Sequence, residues 1–178
     1  MEALVVLGIM TILLMTVNSI FTANSDLVAR ELRQADATIG AVQAVRTISE
    51  LTRGASDIVA NHDFNGTTYT TSSDTLVLKM PSLDINGNVL GAEYDYVAIY
   101  RGSGANADKI YSNVVVGLNS ARPDGIKAIS SYNESLIFRY NDPNMTAATR
   151  VSVFLSNVRT YRGSTIRAKA WTAIFLRN

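Results

Sequence analysis

The sequence predicts an α+β fold: one long N-terminal helix, apolar over its first half, whose second half packs on an antiparallel β-sheet. Three observations predict it. Residues 3–25 carry no charge between Glu2 and Asp26. No proline occurs before Pro81. After Asn61 the apolar spacing changes from helical to alternating. The expected organisation is residues 1–25 as the apolar half of the helix, 26–54 as its amphipathic half, and 55–178 as an antiparallel β domain.

Composition narrows the chemistry. The chain has 178 residues, 47% hydrophobic and 17% charged, against about 25% charged in a typical soluble domain. That apolar share supports a core and excludes global disorder. A net charge of +1 excludes a strongly basic nucleic-acid binder by bulk charge, though not by a local patch. The absence of Cys removes disulfides, thiol catalysis and Cys-ligated zinc. A single His, His62, removes multi-His metal sites.

The first element is the run at residues 3–25, ALVVLGIMTILLMTVNSIFTANS. About 20 apolar residues span the hydrocarbon layer as a helix, so this run is long enough for a transmembrane segment. Asn18, Ser19, Thr22 and Asn24 place its exit from lipid at the C-terminal end. A cleaved signal peptide would have a basic start, which Met1 and Glu2 do not supply. A buried globular helix rarely stays uncharged for so long. Ala3, Gly8 and Thr11 are small enough to let helices approach closely.

Met1-Glu2-Ala3-Leu4-Val5-Val6-Leu7-Gly8-Ile9-Met10 resembles the N-terminal segment of type IV pilins and type II secretion pseudopilins. That family carries a short basic leader ending in Gly, then an aromatic residue, a few small or apolar residues and a Glu, the fifth residue of the mature chain. An apolar helix follows. Glu2 matches that Glu, and Met1 the position before it. The resemblance implies a pilin-like ladle in which Glu2 neutralises the N-terminal amine of a neighbouring subunit. It also implies a single pass through the cytoplasmic (inner) membrane with the β domain outside the cytoplasm, reaching a filament or the cell surface on assembly. The implied partners are other pilin or pseudopilin subunits and a prepilin peptidase. The sequence departs from the pattern in two ways. The leader and the first three mature residues are absent, so cleavage and N-methylation rest on the resemblance. Ser19 stands where many members have Pro, which removes the usual reason for a kink.

Beyond Asp26, apolar or small residues recur at Val28, Leu32, Ala35, Ile39, Val42, Val45 and Ile48, in steps of three and four that mark one helical face. This face is expected to pack on the protein's own sheet; a coiled coil is the rival, but the heptad lasts only about three repeats. Arg53-Gly54 is the expected stop.

Six strands are expected, at 75–80, 94–101, 109–116, 135–140, 150–158 and 165–176, in one antiparallel meander. Turn chemistry separates them: Asp84 to Asn88, Gly102-Ser103-Gly104, Arg122-Pro123-Asp124-Gly125, Asn141-Asp142-Pro143 and Arg162-Gly163. Tyr94, Tyr96 and Tyr100 are expected on one face of the second strand, with Val97 and Ile99 on the other. The order of these strand patterns also resembles, more loosely, the minor-pilin and J-type pseudopilin group.

The chain carries few residues in patterns that signal chemistry. His62 reads as a loop residue without a triad, and no nucleophile elbow, phosphate loop or dinucleotide fingerprint occurs. Asp84-x-Asn86-x-Asn88 alternates like a calcium loop, but Val89 stands where an EF-hand needs Gly. It reads as a polar hairpin. Thus no catalytic, cofactor or metal residue is assigned.

From residue 143 to 178 there are six basic residues and no acidic ones. Arg159, Arg162, Arg167 and Lys169 form a candidate patch for DNA or another surface, and Trp171 and Phe175 share a strand face with Arg167, Lys169 and Arg177. The expected function is therefore structural, a filament subunit, with Glu2, Ala3 and Gly8 as assembly residues. The alternative is a tip-located binding module using the basic strands; a tethered enzyme is the weakest reading.

Overall fold

Fifty-two residues without a proline form one uninterrupted helix, α1 (Glu2–Arg53), in the computed structural model, which describes residues 2–176. Met1, Arg177 and Asn178 lie outside the described residues. At 1.5 Å per residue the helix is about 78 Å long. It ends where expected: the Gly54 N–H donates to the Glu50 carbonyl at 3.2 Å, and the next N–H, of Ala55, turns to Thr52.

Ten strands follow among the described residues: β1 (Asp57–Ile58), β2 (Asn61–Phe64), β3 (Thr67–Thr70), β4 (Thr75–Leu83), β5 (Val89–Arg101), β6 (Ile110–Val115), β7 (Gly125–Ser130), β8 (Asn133–Tyr140), β9 (Arg150–Tyr161) and β10 (Ser164–Phe175). All six expected strands are present. The single meander is not. A five-stranded sheet runs β1-β4-β5-β6-β7, a three-stranded sheet runs β10-β9-β8, and β2 and β3 form a separate hairpin, every pairing being antiparallel.

The meander divides at Ser131-Tyr132. Tyr132 adopts a left-handed backbone (φ 64), which re-aims the chain. The Asn133 N–H then bonds the Asp108 carbonyl at 2.7 Å and does not continue a ladder with β7. The two sheets still touch, since the Phe138 N–H donates to the Ser73 carbonyl at 2.7 Å. The small hairpin carries its own local sequence signal. Asn65 and Gly66, both at positive φ, are the dipeptide that a two-residue turn favours. His62, expected in a loop, lies in β2.

The helix packs its distal half on β9, β10 and β7, but not by the expected face. Buried positions are Ala37, Ala41, Ala44, Val45, Ile48, Ser49 and Thr52. Of the expected stripe only Val45 and Ile48 are buried; Val28, Leu32, Ile39 and Val42 are exposed. Small residues decide this. A Cβ on Gly40 would lie 3.0 Å from Asn157 Nδ2, so Gly40 and its alanine neighbours let the sheet approach the helix axis closely. Bulkier side chains on that face would hold it off.

The core joins these layers. Ala41, Ala44, Val45 and Ile48 meet Leu76, Leu78, Val97 and Ile99 of the larger sheet and Phe138, Val151, Val153 and Ile174 of the smaller one. On the outer face of the larger sheet, Phe64 of the hairpin covers Val77 and Ala98, flanked by Tyr69, Tyr96 and Tyr100. Strand β5 is thus two-faced as expected, with Val97 and Ile99 inward and Tyr96 and Tyr100 under the hairpin.

Candidate functional site

The helix surface is the largest uncovered apolar feature among the described residues. From Leu4 to Phe21 its large apolar side chains all point to open space. The segment is long and apolar enough to cross a membrane. Its hydroxyls suit lipid, since Thr11, Thr16 and Thr22 donate to the carbonyls four residues back, at 2.8, 2.8 and 2.9 Å. No side-chain donor of these threonines is then left for solvent to satisfy. The apolar surface does not stop at Asp26. Leu27, Val28, Leu32 (62% exposed), Ile39 and Val42 continue it along the distal half. Contiguous exposed apolar surface of this kind marks an interaction or membrane site.

Glu2, Ala3 and Gly8 lie in the first turns of α1, all exposed. A Cβ at Gly8 would meet nothing within 4 Å. Gly8 therefore has no packing duty inside this subunit.

The four cations of the expected patch are divided. Arg167 and Lys169 point outward from β10. Arg167 forks onto Glu134, with Nε at 2.9 and 2.8 Å from its two oxygens, and this pair, led by the Arg167 hydrogen bond, holds the Glu134 carboxyl below its ordinary range. Arg159 lies on the opposite face of the sheet, half-buried, its guanidinium 3.5 Å from the Tyr132 ring centroid. Arg162 sits in the β9–β10 turn, bonded to Asp26 of the helix. The patch fails as a unit because strand alternation sends Arg159 and Arg167 to opposite faces: Arg159 pairs in register with Ile166, one residue out of phase with Arg167.

Two further groups are assembled by the fold. Asp95 is fully buried and takes hydrogen bonds from Ser82 Oγ (2.7 Å), Gly117 N (2.9 Å), Ser120 Oγ (2.9 Å) and Arg122 Nε (2.8 Å). Burial pushes its carboxyl upward, but these donors outweigh burial and leave it below its ordinary value. Arg122 also donates to the Pro81 carbonyl at 3.2 Å, so the cluster ties the loop before β7 to β4 and β5. Its donors and acceptors are mutually spent, so it is a clamp. The second group is the row Arg139, Phe154 and Trp171 on the outer face of the small sheet; Trp171 is on the outward strand face expected for it, and the register of β8, β9 and β10 adds Arg139 and Phe154.

His62 stacks on Tyr96, centroids 3.5 Å apart and planes 11° apart. Burial holds its imidazole below its ordinary value. Asp84 closes the β4–β5 hairpin by accepting from the N–H groups of Asn86 and Asn88, both at 2.8 Å. Asp84, the first residue of the Asp84-x-Asn86-x-Asn88 alternation, thus caps its own polar hairpin. Comparison with models of protein families, with curated proteins and with solved structures returns no match to this chain.

Proposed function

We propose that this chain is a membrane-held structural subunit that polymerises through its N-terminal helix, in the manner of a type IV pilin or type II secretion pseudopilin, as a minor subunit. One observation carries the reading: α1 offers uncovered apolar side chains from Leu4 to Val42, while its own sheet occupies only the narrow alanine face. The N-terminal resemblance centred on Glu2 supports it.

The physical work divides along the helix. In the first half, lipid is as apolar as the side chains, so association comes from close packing at small residues such as Ala3 and Gly8. Glu2 in hydrocarbon is costly, about 2.5–3.5 kcal/mol near mid-bilayer, and a neighbour's N-terminal amine would relieve that cost. In the second half the driving force is hydrophobic, about 1.5–3 kcal/mol for each large side chain moved fully out of water. The β domain then sits outside the cytoplasm, and processing by a prepilin peptidase with N-methylation belongs to the same proposal.

Because the chain has no Cys, a single Cys introduced at Val28, Leu32 or Ile39 reports helix–helix proximity without background. In membranes we expect disulfide-linked dimers from these positions and none from Ile85 in the β4–β5 turn. Glu2→Ala should leave the β domain folded and lower incorporation into filaments. A chain that stays monomeric in membranes, with no cross-link at any helix position, would sink the proposal.

A further inference from the structure

We infer that the outer face of the β8–β9–β10 sheet is a stacking platform for single-stranded nucleic acid. The inference does not depend on filament assembly, since it uses only the β domain.

Strand register builds the platform. Trp171 of β10 lies opposite Phe154 of β9, which lies opposite Ile137 of β8. The Trp171 and Phe154 rings run nearly parallel, 17° apart with centroids at 6.3 Å. The Arg139 guanidinium lies 5.1 Å from the Phe154 centroid on the next position of β8. Cation, ring and ring therefore form one row across three strands. The row ends on Trp171, 70% exposed, and Phe175 extends the apolar surface along the same strand face at 68%. A shallow depression of about 280 Å³ opens among Ile137, Arg139, Phe154, Lys169 and Trp171.

The charge on this face selects the occupant. Arg139, Arg150, Arg167 and Lys169 surround the aromatics, and among the described residues of these three strands the face carries one carboxylate, Glu134, which Arg167 and Ser156 already occupy. Among the described residues Arg139, Arg150 and Lys169 join no ion pair. Three cations outside any such ion pair, around exposed aromatic rings, fit a ligand that presents phosphates and flat π-faces together. A strand of unpaired bases does so: phosphates meet the cations and bases stack on the rings. A duplex hides those faces inside its own stack, and a flat sheet face enters neither groove by a helix or ribbon edge. A second copy of the same face would repel the first by charge. An anionic bilayer is out of reach if α1 spans it. Trp171 borders Arg46 and Glu50 of the helix, and Arg46 lies 20 residues past Asp26, about 30 Å along the axis.

Trp171 is the single tryptophan of the chain, so its emission reads the site directly. The full chain in neutral detergent is titrated with a short oligothymidylate, the matching duplex and inorganic polyphosphate, and the chain reconstituted without detergent in phosphatidylglycerol vesicles is compared with the chain in phosphatidylcholine vesicles. The oligothymidylate should quench Trp171 saturably, and its affinity should fall with salt. By anisotropy of a labelled oligonucleotide, Trp171→Ala should weaken binding about fivefold or more, the loss of one stacked base, with Trp171→Phe in between. Lys169→Ala, Arg139→Ala or Arg150→Ala should each lower the log–log salt slope by about 0.7. Lys127→Ala, on the other sheet, should change nothing. No quenching by the oligothymidylate at low salt overturns the inference. So does equal affinity for polyphosphate with no effect of Trp171→Ala, which would mean a bare polyanion site. Tighter binding of duplex, or an emission shift in phosphatidylglycerol relative to phosphatidylcholine vesicles, would overturn it as well.

Discussion

Arg162, in the turn between the last two strands, holds the carboxylate of Asp26, the first charged residue after the apolar run. The Tyr161 hydroxyl donates to the same carboxylate at 3.2 Å. Arg162 and Gly163 both take positive φ, 47° and 77°, the geometry of a tight hairpin turn that matches strand twist. The end of the β9–β10 hairpin is thereby moored to the helix at the point where the apolar segment ends.

This mooring pair is partly exposed, so its contribution to stability is small. Arg162→Ala should lower the unfolding free energy by less than about 1 kcal/mol. It should still free the hairpin tip locally. Amide hydrogen exchange across 160–164 should rise while exchange in β4 and β5 does not change. Equal protection in both proteins would show that the pair positions nothing.

Asp95 is the opposite case, a carboxylate wholly inside the fold. Asp95→Asn leaves Arg122 without its charge partner and should cost about 3 kcal/mol, read from chemical unfolding followed at the β signal. The pH dependence has a definite sign. The folded carboxyl lies below its ordinary value, so its stabilisation is fully present above the unfolded value of about 4. That stabilisation is lost as pH falls through the folded value. The wild type should lose stability in acid more steeply than Asp95→Asn; parallel curves would remove Asp95 as a source of that loss.

Gly40 and Asn157 form a testable couple. The Asn157 side chain donates to the Ala37 carbonyl at 3.3 Å, and a Cβ on Gly40 would press on that amide. Gly40→Ala gains helix propensity of about 1 kcal/mol but displaces a buried side chain that has nowhere to go. The net change should be destabilising by about 1 kcal/mol. With Asn157→Ala already present, the same substitution should become stabilising. A double-mutant cycle measures the reversal, and an identical effect in both backgrounds would refute the close-approach argument.

The two faces of the distal helix should respond oppositely. Ala44→Leu overpacks the seam with the sheet and should cost about 1–3 kcal/mol. Leu32→Ser or Ile39→Ser changes exposed positions and should stay within about 0.5 kcal/mol of wild type in the isolated subunit. The serine variants should instead lose self-association, seen as fewer cross-links from Cys at Val28. Serine variants that unfold the subunit would mean the stripe is part of its own core.

Much of the architecture was legible from residues alone. The uncharged run, the absence of proline and the alternation after Asn61 define the long helix and six strands, and these are local properties of the chain. The Asn65-Gly66 hairpin carries a turn signal as clear, but its strands are short and polar, so their alternation is weak. Asp95 offered no signal: nothing in Tyr94-Asp95-Tyr96 says that Ser82, Gly117, Ser120 and Arg122 will surround it.

Sequence by itself determined that a greasy helix leads and an antiparallel domain follows, because backbone period and side-chain hydrophobicity act over a few residues. Tertiary structure alone decided which helical face meets the sheet. Alanine and glycine permit a closer approach than leucine and isoleucine, so the smaller face went inside and the larger side chains stayed out. It also decided where the cations stand. A one-residue phase difference between β9 and β10 sends Arg159 inward and leaves Arg167 outward, a relation fixed by pairing across the turn.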